Sequence, residues 1–351
     1  MKTKISRSRA PKTPAALAAA GHPLVPDVLA LATSAGRMVG TRGHREARAY
    51  LVERLVGLGL EPTQSRERAF DGGFSLPYGP QSGRWRGPCN VMAVAPGRSR
   101  ELAPVVLAAH YDTCGPLPGA DDNAAAIAIV LEVAAALRRE PAERDVVLAI
   151  FDGEEPPRFL GSEMGSIHWY HHQRARPVHA AIVLDLVGHD VTLPGFPRLA
   201  DLLFVMGMES HPGLVVDVSV EGATPGLHVQ PVLNRYVGDL SDHHVFRVNG
   251  HPFLFLSCGR WPHYHQATDT PEKLNYTKML AIAGLTEAWT RRTAGLSLAG
   301  GAQLGASLPV ELAALRRNFG GLLGPLLGER VINRREHVDA FVNVAMRTFG
   351  L

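Results

Sequence analysis

The sequence predicts an α/β fold: a three-layer αβα sandwich around a central mixed, mostly parallel sheet, with a helical extension at the C-terminal end. Three observations carry that expectation. Short apolar runs bounded by turns alternate with stretches of helical periodicity. The runs "VVLAAH", "VVLAIF" and "AAIVL" lack the polar alternation of a half-exposed strand, so both of their faces need cover. The segments between them are long enough to be the helices that supply it.

Taken in order, residues 1–24 open with Lys2, Lys4, Arg7, Arg9 and Lys12 and are expected to form a solvated, mobile tail. From Val25 to Leu60 the pattern is helical. In "TRGHREARAYLVERLVGLGLEP" the apolar residues Ala49, Leu51, Val52, Leu55, Val56 and Leu58 alternate with charges, and the helix should stop near Gly57 to Gly59, before Pro62. Residues 70–90 are rich in Gly, Pro and aromatics and read as a long loop. "CNVMAVAPG" is a short strand. "APVVLAAHYD" is a buried strand followed by a helix over Ala124–Arg138. "RDVVLAIFDGEE" is the next strand, followed by a helix over Gly161–Gln173. "HAAIVLDLVG" and "HPFLFLS" are further strands, and Tyr276–Arg292 is a closing helix. Residues 25–292 therefore read as one catalytic domain. Residues 293–351 read as an extension of two helices, "LPVELAALRRNFGGLLGPLLG" and "NRREHVDAFVNVAMRTF".

With 351 residues, 46% hydrophobic and 20% charged, the chain has the profile of a soluble globular protein with a sizeable core. A net charge of +3 is too small to imply a nucleic-acid partner. Three cysteines, Cys89, Cys114 and Cys258, argue against a disulfide framework and fit a reducing compartment. "AALAAAG" is short and weak for a secretory segment, so a cytoplasmic location is expected. The apolar run from Ala124 to Leu137 is broken by Glu132 and falls short of the about 20 residues a bilayer span needs. "LLGPLLG" near Leu322 is apolar enough to pack on a second copy, which makes a homodimer an expectation.

The central strands end in one kind of residue. The first ends in His110 and Asp112, the second in Asp152, Glu154 and Glu155, the third in Asp185. The helix after the first strand starts at Asp121 and Asp122. In open α/β sheets ligands bind beyond the carboxyl ends of the strands, so these groups are expected to converge. Converging carboxylates repel and are costly to bury, unless a cation sits among them. An imidazole with several carboxylates and no thiolate cluster suits catalytic zinc, or another divalent ion such as manganese or cobalt. The bland alternatives are a core histidine at His110, a helix cap at Asp122, a solvated loop pair at Glu154 and Glu155, and a surface acid at Asp185. His110 stands in register with Asp112, Asp122 and Glu155, Asp121 or Asn123 could supply the cap instead of Asp122, and the alternatives for Glu154, Glu155 and Asp185 sit badly after the buried strands that precede them. The cluster His168, His171, His172 reads as an exposed helix face, and Cys114 as a small buried residue.

"HYD", "GADDNAAA", "EEPPRFLGS", "LDLVG", "SDHHVF" and "HQATDTPEKL", in this order and spacing, resemble the co-catalytic zinc peptidases of family 28. That family includes bacterial leucyl aminopeptidases and, as a divergent branch, the animal-type glutaminyl cyclases. The resemblance spans roughly residues 39–290 and implies a zinc exopeptidase-like sandwich with Zn2+ as cofactor. It implies that His110 and Asp185 bind one ion, that Glu155 and His265 bind another, and that Asp122 bridges both. Asp112 would orient the His110 imidazole, Asp121 would organise the turn, and Glu154 would be the catalytic base. Asp242, His243 and Tyr264 would line the substrate pocket, with His263 at the rim.

Two activities follow from the resemblance. An aminopeptidase would use two zinc ions and Glu154 to hydrolyse the N-terminal residue from a peptide or a small amino-acid derivative. A glutaminyl cyclase would use one zinc and release ammonia. "FDGEE" and "LDLVG" look cyclase-like. Tyr264 stands where the cyclases have tryptophan, the segment after Glu155 is short, and "TDTPEKL" is peptidase-like. The complete two-metal set favours the aminopeptidase. A third class, a catalytically dead binding domain, fits poorly with an intact set of ligands and base.

Overall fold

The computed structural model describes residues 13–60, 88–192, 199–216, 226–303, 305–327 and 332–349, and the side chains of these except 321–327 and 346–349. The elements begin with α1 (Pro14–Ala19), α2 (Val25–Leu31), α3 (Arg42–Gly57), β1 (Val91–Ala95), β2 (Val105–His110), α4 (Ala125–Arg139) and β3 (Val146–Phe151). They continue with α5 (Gly165–His168), β4 (Ala180–Leu184), β5 (Leu202–Met206), β6 (His228–Pro231), α6 (Asn234–Val237) and α7 (His243–Val248). β7 (Phe253–Ser257), α8 (Tyr276–Gly295), α9 (Leu308–Leu327) and α10 (Arg335–Phe349) complete the chain.

The seven strands form one mixed sheet in the order β1-β3-β2-β4-β7-β5-β6. β3, β2, β4 and β7 are parallel to one another, β1 runs antiparallel to β3, and β5 runs antiparallel to β7 and parallel to β6. In register, Leu107 of β2 faces Leu148 of β3 on one side and Ile182 of β4 on the other. Those three residues share one face of the sheet and pack with α2, α3, α4 and α8. Val106, Ala108, Val147, Ala149 and Val183 share the other face and pack with Trp169, Val245 and Phe246. The period of two along each strand thus divides an unbroken apolar run between two cores, as expected for a sandwich. α4 is almost wholly apolar because it lies between the sheet, α2 and α8. α3 is two-sided, with Ala47, Leu51 and Leu55 buried at intervals of four residues.

Several elements differ from expectation. Packing starts before residue 24: Thr13 caps α1, Pro14 fits its first turn, and Leu24 is wholly buried. The basic residues expected in a tail lie in 1–12, outside the described residues. The helix expected from Gly161 starts only at Gly165, after a turn in which the Gly161 amide donates to the Arg158 carbonyl. β5 and β6 were not expected. β6 is a four-residue edge strand ending in proline, and its apolar signal is too short to separate from loop. The helices after residue 292 are built into the same core. Leu312, Leu315, Phe319 and Phe341 belong to the apolar cluster that includes α4. α9 covers the free edge of β6, where Arg317 and Asn318 donate to the Val229 carbonyl at 3.3 and 3.1 Å. The side chains around Leu322, on which the homodimer expectation rests, lie outside the described residues. So do 61–87, most of the expected long loop. Among the described residues no helix is long and apolar enough to cross a membrane.

Candidate metal centre and active site

The carboxyl ends of β2, β3 and β4 deliver the expected residues to one place. His110 is the last residue of β2, Glu154 and Glu155 follow β3 after Gly153, and Asp185 follows β4. Gly153 takes a positive φ of 65°, a conformation that favours glycine and turns the chain sharply at the strand end. The turn separates the two glutamates. Glu154 Oε2 lies 3.9 Å from His110 Nε2, whereas Glu155 Oε2 lies 3.0 Å from His265 Nε2. Asp122 stands between the imidazoles: Oδ1 is 3.4 Å from His110 Nε2 and Oδ2 is 3.1 Å from His265 Nε2. Asp185 Oδ1 is 3.6 Å from His110 Nε2. Among the described residues, the groups with metal-ligand spacing are His110, Asp122 and Asp185, and Cys114, Glu155 and His265.

Neither adjacent aspartate caps α4, which has no side-chain cap. Asp121 turns away from the cluster. Its oxygens accept from the Gly188 amide and pair with His189 Nδ1, both at 2.6 Å, which ties the start of α4 to the loop after β4. The amides of Asp121 and Asp122 donate to the Asp269 carboxylate at 2.9 and 3.1 Å. Asp112 lies 3.5 Å from His110 Nδ1, and its two oxygens also accept the amides of Glu154 and Glu155, each at 3.1 Å. One carboxylate thus sets the position of the imidazole and of both glutamates. Asp152, grouped in the sequence with the converging acids, faces elsewhere and binds His44 Nε2 and the Tyr111 hydroxyl at 2.8 and 2.9 Å.

Sequence reasoning missed Arg37. Its guanidinium is buried and donates to the carbonyls of Leu31, Tyr111, Pro118, Gly119 and Asp122. It holds the loop from β2 to α4 around the Asp122 backbone. A lone arginine before a helix carries no local signal of this role, because every partner is remote in sequence or reached through the backbone.

The electrostatics fit a cation. Burial pushes Glu154 well above the usual carboxylate range, and the charges of Asp185, Asp242 and Glu155 add to it against His110. Burial, then repulsion from Asp122, lifts Glu155 to about 7. Burial also raises Asp185, and lifts Asp242 to about 7. Burial raises Asp122 as well, but the imidazoles of His110 and His265 outweigh it and hold it low. Burial lowers His265, yet Asp122 and Glu155 overcome this and lift it to about 10. The protein alone keeps these groups together only by retaining protons that a divalent ion would replace. Asp185 Oδ1 is buried without a hydrogen-bond partner, and the buried Asp122 Oδ2 has its ion-pair contact with His265 but no hydrogen bond, so the residues present fit a metal. His265 and Leu186 hold positive φ values of 54° and 53°, strained for non-glycine residues, and both sit at this site.

A cavity of about 580 Å³ opens from the cluster. Glu154, Glu155 and Asp185 form its polar end, and Tyr264 lines it, stacked on His265 at 3.8 Å between ring centroids. Its far wall is apolar and includes Phe204, Phe255, Phe319 and Phe341. Asp242 and His243, expected in the substrate pocket, do not line the cavity. Asp242 is buried behind Glu154 and Asp185. His243 is buried against Phe255, with centroids 4.1 Å apart. Both precede or begin α7, whose packing against β4 and β7 turns them into the core. His263 is a rim residue bonded to Thr268, and the His168 and His172 rings meet at a tilt of 48° with centroids 4.9 Å apart.

Buried acids and imidazoles gathered at the strand ends of this fold make a candidate metal centre. The chain belongs to peptidase family M28, whose model matches residues 90–290. The chain is 28% identical over 217 residues to the uncharacterised Escherichia coli protein YfbL, a match covering 51% of this chain and 63% of that protein. It therefore aligns with less than two thirds of that relative. Among solved structures, the Legionella pneumophila LapA aminopeptidase superposes with a TM-score of 0.60 at 16% identity, over 78% of this chain and 72% of that one. The Fimbriiglobus ruber glutaminyl cyclase superposes with a TM-score of 0.58 at 21% identity, over 83% and 99%. At such identities the likeness establishes the fold alone, and both activities occur on it.

Proposed function

We propose that this chain is a metal-dependent aminopeptidase acting through two zinc ions and a glutamate base. The observation that carries the proposal is Asp122, whose two oxygens face different imidazoles at 3.4 and 3.1 Å. That is the arrangement of a bridging ligand. His110 and Asp185 would hold one ion, Glu155 and His265 the other. When bound, such a pair lowers the pKa of a shared water and polarises the scissile carbonyl.

The chain's own residues supply the rest. Glu154 lies beside the cluster without being needed as a ligand, so it is free to take the proton of the attacking water and return it to the leaving amine. Its environment raises its proton affinity, which suits a group that must carry a proton between two steps. Asp112 keeps the Glu154 and Glu155 backbone in place during that transfer. The apolar wall would hold the substrate's N-terminal side chain, and its size suits a bulky apolar residue. A cysteine count of three, low and odd, supports a reducing, cytoplasmic setting for the enzyme.

Glutaminyl cyclisation is the second reading. It is favoured by the buried trio Glu154, Asp185 and Asp242, each raised by burial and so able to share a proton beside a single ion. One experiment separates the two: metal content per chain, with release of p-nitroaniline from Leu-p-nitroanilide compared against ammonia release from a Gln-initiated peptide. Two ions with p-nitroaniline release are expected. One ion with ammonia release would replace the proposal with the cyclase.

A further inference from the structure

We propose that Cys114 is an additional metal ligand, binding the same ion as Glu155, His265 and Asp122. The inference rests on the two-ion reading above and adds a residue that reading does not use. Cys114 Sγ, a Glu155 carboxylate oxygen and a His265 ring nitrogen all lie within 4.8 Å of one another. A small cavity of about 10 Å³ lies among Cys114, Asp122, Glu155 and His265, room for roughly one water-sized sphere. Asp122 lines this same cavity, and its buried Oδ2 makes no hydrogen bond beyond its 3.1 Å ion-pair contact with His265 Nε2. His265 Nε2 meets Glu155 at 3.1 Å, so three ligand types of one centre already face the thiol.

The loop aims the cysteine. Thr113 Oγ1 accepts the Arg37 amide at 2.8 Å and donates to the Gly115 carbonyl at 2.7 Å, which fixes the backbone on both sides of Cys114. The other cysteines, Cys89 and Cys258, are buried elsewhere. On coordination the sulfur donates a lone pair to the ion and its proton leaves to solvent. A thiolate softens this seat. It favours zinc, cobalt or cadmium over manganese and magnesium, while the His110 seat keeps only nitrogen and oxygen donors. The two seats of one centre then differ in metal preference.

Cobalt reports sulfur ligation directly. Metal-free full-length protein is reconstituted with Co2+ as wild type, Cys114→Ser and Cys114→Ala. Near-ultraviolet and visible spectra are recorded together with cobalt content. The wild type should show a sulfur-to-cobalt charge-transfer band that both variants lose. The weaker-held cobalt should lose about tenfold or more in affinity in the variants. Two cobalt ions without the band, or a band that persists in Cys114→Ala, overturns the assignment and leaves the two-ion reading intact. One cobalt carrying a Cys114-dependent band supports the ligand and removes the two-ion reading. Failure to bind cobalt overturns both.

Discussion

The two walls of the active-site cavity are built in opposite ways. The polar wall comes from short loops at the ends of β2, β3 and β4, and those loops are fixed by buried backbone amides donating to Asp112, Asp121 and Asp269 and by Arg37 donating to backbone carbonyls. The apolar wall comes from β5, β6, β7 and two helices near the C-terminus. Those helices are held by Arg335, paired with Glu311 through two contacts of 2.6 and 2.8 Å, and by Arg235 and Tyr236, bonded to Asp339. On the proposed function, chemistry and specificity would be borne by separate parts of the chain. The apolar wall lies partly outside the stretch matched by the peptidase family model.

Substitutions in each wall should therefore separate. The largest effect belongs to the polar wall. Glu154→Gln should retain metal and fold while kcat falls by at least about 10²-fold, the scale of general-base removal. Steady-state kinetics with elemental analysis check this, and a rate near that of wild type would remove Glu154 from the mechanism. Phe341→Ala should act on the other wall. Losing the burial of one aromatic side chain, about 1.5–3 kcal/mol, should raise KM for an apolar substrate about 10- to 100-fold with kcat and metal content little changed. An unchanged KM, or loss of metal, would show that the walls are not independent.

An effect on stability, with none expected on turnover, lies beneath the apolar wall. Burial lowers His243 to about 4, from an ordinary value near 6.5. The unfolded chain therefore takes up this proton first as the pH falls. The stabilisation is complete above about 6.5 and is lost towards about 4, by at most about 3 kcal/mol. His243→Phe keeps a ring against Phe255 without the titrating group. Thermal melts should show that its advantage over wild type grows between pH 6.5 and 4, and a constant difference across that window would place the acid sensitivity in other groups.

The legible part of the molecule was local. "VVLAAHYD" announces a buried strand ending in an imidazole and a carboxylate. "FDGEE" announces a glycine turn with two acids. Periodicity likewise located α3, α4, α8, α9 and α10 to within a few residues. The sequence hid what depends on distant partners. Asp242 and His243 look like site residues in "SDHHVF", but α7 faces them into the core. Arg37 looks like any basic residue until its carbonyl partners converge. Cys114 is unremarkable until Glu155 and His265 come to it from two other loops.

The sequence by itself determined the sandwich, its parallel centre, and most of the acids and histidines that gather at the strand ends, Asp152 excepted. Strand pattern and loop length act over a few residues, and that is enough to bring those groups to one edge of the sheet. Only the tertiary structure decided that Asp122 faces both imidazoles, that Asp121 braces the loop after β4, and that the C-terminal helices complete the cavity. Those outcomes depend on contacts between segments far apart in the chain, 67 residues for Asp121 with Gly188 and more than a hundred for His265 with Glu155 and Asp339 with Tyr236. No local pattern encodes them, because each is settled by which buried surfaces and charges can be satisfied together.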